Sequence, residues 1–139
     1  MKKTFVTVLL ALLACSAAQA GVLSPGLAAQ MDKMGDHEEL KVLVVMKDRA
    51  DVRAMDKNLH NQAVSLAVRH QTVVSSLTDV ATASQRDILA QLTLRQADKA
   101  AGGVRGFTPH WIVNSIVLVA DVAAIREIVL IHEGAHQTF

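Results

Sequence analysis

Residues 40–47 (LKVLVVMK) and 116–120 (IVLVA) carry apolar side chains at consecutive positions rather than alternate ones. Successive side chains of an extended chain point to opposite faces, so each run is apolar on both sides. Val42, Val44 and Met46 share one face of the first run, and Leu43 and Val45 the other. Ile116 and Leu118 oppose Val117 and Val119 in the second. Such strands sit centrally in a sheet and need cover on both faces. A chain of 139 residues is long enough for one domain and too short for two of ordinary size. Helices of its own can therefore cover one face only, and the other is left as a surface for a partner.

The N-terminus (MKKTFVTVLLALLACSAAQAG) has the three parts of a secretory signal peptide. Lys2 and Lys3 form the basic region. An apolar stretch follows that is too short to span a bilayer, and Ala18, Gln19 and Ala20 form a small-x-small cleavage site. Residues 1–20 are expected to be removed and the protein exported to the periplasm or secreted. Leu12, Leu13, Ala14 and Cys15 also fit a bacterial lipobox, which would anchor the chain to a membrane through Cys15. Cys15 is the single cysteine. With the signal peptide removed, stability has to come from packing or from a partner, without a disulfide.

Residues 21–39 mix Gly, Pro and charge without a period and are expected to be a leader or linker. After the first strand, DRADV reads as a turn. Residues 61–101 are helical in composition, with Val64, Val68, Leu77, Ala81, Ile88 and Leu92 at three-to-four spacing. Two helices divided at TDVATAS, where Ser84 and Asp87 form a capping pattern, or one long helix that bends or projects, are expected, with a stop at Gly102 and Gly103. VRGFTPHWIV is expected to be a strand kinked at Pro109, which belongs at a sheet edge or bulge. Asn114 and Ser115 turn the chain into the second apolar strand. Asp121 caps a helix over 122–131, Gly134 stops it, and AHQTF extends as a final strand or tail. The order implies an α+β fold: a ferredoxin-like βαββαβ two-layer sandwich with an extended first helical region and an antiparallel sheet open on one face. The domain is expected to span 40–139.

Composition excludes several functions. Fourteen basic and 13 acidic residues give a net charge of +1, too little to attract nucleic acid. One Trp, three Phe and no Tyr leave no base-stacking platform. No nucleophile arrangement stands out, and Trp111 is expected in the core. His132, Glu133 and His136 match H-E-x-x-H, which would make a zinc-dependent hydrolase with both histidines as ligands and Glu133 as base. Gly134 inside the motif weakens the helix it requires, and nothing marks out a third ligand. The expectation is no enzyme, no cofactor and no metal. An export-linked ferredoxin-like binding module with some other partner is the remaining alternative.

KVLVVMKDRADV and FTPHWIVNSIVLVADVAAIREIV, with the short run after the helix, resemble the N-terminal propeptide of subtilisin-like serine proteases, a family of protease inhibitors and intramolecular chaperones. The resemblance covers residues 40–139. It implies that the open sheet face, through Val117 and Val119, packs on two surface helices of the protease. The turn at Asn114 and Ser115 would meet the N-termini of those helices, with a neutral Asn114 where the family often has a carboxylate. Ala135, His136, Gln137, Thr138 and Phe139 would lie in the substrate cleft like a product, Phe139 filling the primary specificity pocket. The chain carries no catalytic domain and no GTSMA-like serine motif. The resemblance leaves open a stand-alone inhibitor or a fragment of a longer precursor.

Overall fold

The computed structural model describes residues 22–100, 103–131 and 135–137; the expected signal peptide and Cys15 lie outside them. Among the described residues the fold is α+β, with an antiparallel sheet and four helices. The strands are β1 (Glu39–Met46), β2 (Val104–His110), β3 (Ser115–Asp121) and the three-residue β4 (Ala135–Gln137), in the spatial order β2-β3-β1-β4. The two runs apolar on both faces are thus the two central strands, neighbours in the sheet. The helices are α1 (Pro25–Met31), α2 (Val52–Asn61), α3 (Leu66–Ala97) and α4 (Val122–Ile131).

One core holds the molecule together. Val42, Val44 and Met46 of β1 and Ile116, Leu118 and Ala120 of β3 are buried on the same side of the sheet. Ile88 and Leu92 of α3, Val122, Ile125 and Ile128 of α4, and Leu27 and Met31 of α1 join them in a single cluster. Among the described residues, the helices that join the core do so from this inward face.

The segment 21–39, expected as a leader, supplies part of that cover. Ser24 caps α1 by accepting a hydrogen bond from the Leu27 N–H at 3.3 Å, and Pro25 opens the helix with its fixed φ. Leu27 and Met31, one turn apart, are 0% and 1% exposed. Arg126 of α4 reaches the Met31 carbonyl and Asp32 at 3.3 Å. Two buried positions in seven residues are too few to show as a period, so the helix is invisible to pattern reading.

Of the two expected arrangements the structure has one long projecting helix, and the break before it lies elsewhere. TDVATAS stays helical, and Thr78 and Ser84 donate their hydroxyls to carbonyls one turn back, at 2.9 and 2.8 Å, instead of capping a new start. The break falls after α2, where Ala63 takes a left-handed φ of 51° and Ser65 caps α3. DRADV is not only a turn: Asp51 caps α2, accepting from the Ala54 N–H at 2.9 Å. Thirty-two residues make α3 about 48 Å long. Only its second half is buried, at Ala81, Gln85, Ile88 and Leu92. The first half extends beside α2, tied by the Arg69–Asp56 ion pair.

α3 ends at Ala97, capped by Asp98, before the expected glycine stop. Gly103 instead has φ +63°, and a Cβ there would sit 2.5 Å from the Asp121 carboxylate. That carboxylate caps α4 as expected, accepting from the Ala124 N–H at 2.8 Å. β2 keeps Pro109 and lies at the sheet edge, as a strand proline must. Its bulge lies between Val104 and Gly106 rather than at the proline. The strand stops at His110. Trp111 falls in the following turn and is 40% exposed, outside the core where it was expected.

If α1 belongs to the core, Leu27→Ala should destabilise the protein by about 2–5 kcal/mol, the usual cost of a buried Leu-to-Ala cavity. The check is the midpoint and slope of urea denaturation. An unchanged midpoint would mean that residues 21–39 are only a leader.

Candidate partner-binding surface

The register of the three long strands generates the outward face row by row. Directly opposed residues of an antiparallel pair share a face. Lys41, Val119 and Gly106 form one row across β1, β3 and β2. Leu43, Val117 and Thr108 form the next, and in the third Val45 and His110 flank Ser115, which is itself buried. β4 pairs with β1 beside this row, His136 standing opposite Val45 in the backbone register. Leu43, Val45, Val117 and Val119 are only partly covered and belong to no buried cluster among the described residues. Lys41, Thr108 and His110 are exposed around them, and Arg105 pairs with Glu39 at one end. An apolar centre within a polar margin is the layout of a protein interface. Finishing the burial of each half-covered aliphatic side chain is worth about 1 kcal/mol.

The edge of the sheet at β2 is guarded against strand addition. Pro109 has no N–H to offer, and the bulge breaks the ladder. Gln96 Nε2 donates to the Arg105 carbonyl at 3.0 Å, and Gln85 Nε2 to the His110 carbonyl at 3.2 Å. At this end of the sheet a partner has the face to bind, not the edge.

Asn114 and Ser115 are not presented to a partner. They are 5% and 2% exposed, which corrects their expected place in the contact. Asn114 takes a left-handed φ of 44°, a conformation that Asn tolerates better than most residues. Its amide nitrogen donates to the Asp48 carbonyl at 2.6 Å and to Ser84 Oγ at 2.9 Å. Its amide oxygen accepts from Gln85 Nε2 at 2.9 Å. The Asn114 carbonyl accepts from the Met46 N–H at 3.0 Å. Both amide hydrogens and the oxygen are spent inside the molecule, so no capacity remains to cap a partner helix. Ser115 Oγ is buried without a hydrogen-bond partner.

The other expected site residues divide. Val117 and Val119 lie on the outward face, joined by Leu43 and Val45. Ala135, His136 and Gln137 form β4 against Met46, Val45 and Val44. Thr138 and Phe139 lie outside the described residues, as do His132 and Glu133. α4 ends at Ile131 while His136 is on a strand, so the two histidines do not share the single helix that H-E-x-x-H chemistry requires. Among the described residues no group of three His, Cys, Asp or Glu could hold a metal, and no helix is long and apolar enough to cross a membrane. Gly106 had no signal in the sequence, because its membership in the face depends on a register set by the bulge. Lys41 follows from simple alternation with Leu43 and Val45 along β1.

No family model, curated protein or solved structure matches the chain. The functional reading rests on the surface itself.

Asn114→Ala should cost about 2–4 kcal/mol, since it removes the bonds to Gln85, Ser84 and the Asp48 carbonyl and puts Ala in the left-handed region. Asn114→Gly loses the same bonds but keeps the backbone angle, and should recover about 1 kcal/mol of that loss. Thermal or urea denaturation of the two variants measures the difference. A silent Asn114→Ala would contradict the buried network.

Proposed function

We propose that the protein is an exported inhibitor or folding chaperone of a subtilisin-like serine protease. It docks through the open sheet face and lays its C-terminal segment in the active-site cleft. The observation that carries this reading is the outward row of Leu43, Val45, Val117 and Val119, at the centre of a sheet whose core helices lie on the other side. The order of strands and helices, with both crossovers on one face, supports a ferredoxin-like split βαβ layout of the kind the sequence resemblance implies.

The chemistry of inhibition is competitive and noncovalent. Apolar helices of the protease cover the outward row and supply most of the binding energy. β4 is held by β1 on one side and pairs with no other described strand, so its other edge can pair with an extended protease backbone. Thr138 and Phe139 then lead into the cleft as a slowly released product, with Phe139 in the specificity pocket. Chaperone action follows from the same contact. A domain that binds only the folded protease stabilises that fold by mass action.

The two parts should separate by mutation. Leu43→Asp or Val117→Asp puts a charge into the apolar contact and should weaken binding to active-site-blocked subtilisin by tenfold or more, at about 1.4 kcal/mol per factor of ten. Both positions are partly solvated, so circular dichroism should show the fold intact. Deleting Thr138 and Phe139 should weaken inhibition of active enzyme far more than binding to the blocked enzyme. Undiminished binding by both Asp variants would overturn the docking mode, and undiminished inhibition by the truncated chain would overturn the product-like tail.

A further inference from the structure

Gly106 is a residue that the fold itself does not explain. A glycine inside a strand weakens it, and strands keep one where φ is positive, where packing leaves no room for a Cβ, or where another molecule's backbone comes close. The first two reasons fail. Gly103 is the positive-φ glycine among the described residues, so Gly106 has a backbone any residue can adopt. A Cβ built on Gly106 meets nothing within 4 Å. The adjacent bulge does not need a glycine either, because Gly106 is not in the left-handed region. Yet Gly106 lies on the outward face, opposite Val119 and beside the Val117–Thr108 pair, where it leaves open space without a side chain at the margin of the apolar face.

We propose that Gly106 is the seat for one side chain of the partner and the position that selects which partner binds. The proposal rests on the protease-binding reading above and names the part of that surface that decides specificity. The occupant is a surface helix of the subtilisin-like protease that carries a bulky apolar side chain and a carboxylate. The apolar side chain takes the open space over Gly106, against Val119. The carboxylate is called for by Lys41, which closes the same row, is exposed and forms no ion pair among the described residues. Lys41 and Gly106 are separated by one strand, so their backbones are about 10 Å apart, the rise of two turns of a helix crossing the strands. Such a helix can touch both with residues on one stripe. The guarded β2 edge favours a face-bound helix over an added strand.

The experiment titrates the purified full chain against active-site-blocked subtilisin by calorimetry, using wild type, Gly106→Ala, Gly106→Val, Lys41→Gln and Leu43→Asp. Gly106→Val should leave the melting temperature unchanged or raised, because it fills open space with a better strand former, and should weaken binding by about tenfold or more. Gly106→Ala should fall between the two. Lys41→Gln should weaken binding less and flatten its dependence on salt. If Leu43→Asp loses binding while both Gly106 variants bind like wild type, the seat is wrong and the docking face stands. If wild type does not bind, the protease reading fails and the seat fails with it. Light scattering on the free chain covers one more outcome. A wild-type dimer that Gly106→Val dissociates would make the occupant a second copy and overturn the proposal.

Discussion

The side-chain amide of Asn114 ties together three segments far apart in the chain. It donates to the carbonyl of Asp48 at the end of β1 and to Ser84 on α3, and accepts from Gln85 on α3, while its own backbone turns β2 into β3. Buried polar groups must be paired, and here the pairing sets an orientation as well as a stability. With the β2–β3 turn locked against the middle of α3, Ile88 and Leu92 fall over the inward face of the sheet. The long helix is thereby committed to one side. The outward row stays bare because no other described helix is placed to reach it.

That arrangement explains why the chain tolerates central strands apolar on both faces. One set of side chains, Val42, Val44, Ile116 and Leu118, is consumed by folding. The other set, Leu43, Val45, Val117 and Val119, is not, and its retention costs solubility without adding to the core. A proline, a bulge and two glutamine side chains block strand addition at the β2 edge while the neighbouring face stays apolar. Neither feature favours an isolated, self-sufficient domain. Under the proposed function, both suit a domain that docks by its face.

Pattern reading recovered the parts of this structure that depend on local rules. The two central strands, the Asp121 cap and the edge position of Pro109 all follow from alternation, capping and the missing N–H of proline. The open face followed too, from counting apolar faces against available helices. What escaped depends on tertiary context. α1 is too short to show a period. The polar run around Ser84 resembled a helix break because its hydroxyls could equally have capped one, and the structure turns them back onto the preceding turn. Asn114 resembled an exposed turn residue, since Asn favours turns whether they face water or a buried network. Trp111 is large and apolar, yet β2 ends one residue before it. Gly106 could not be read at all without the bulge that sets its register.

The central claim is that the outward row is solvated in the free protein and covered in the complex. The most direct measurement is methyl NMR of Leu, Val and Ile side chains with a water-soluble paramagnetic agent, before and after addition of active-site-blocked subtilisin. In the free protein the methyl signals of Leu43, Val45, Val117 and Val119 should broaden strongly, while those of Val42, Val44, Ile116 and Leu118 stay sharp. The protease should then protect the first set and leave the second unchanged. Outward methyls already protected in the free protein, or still broadened in the presence of excess protease, would contradict the account.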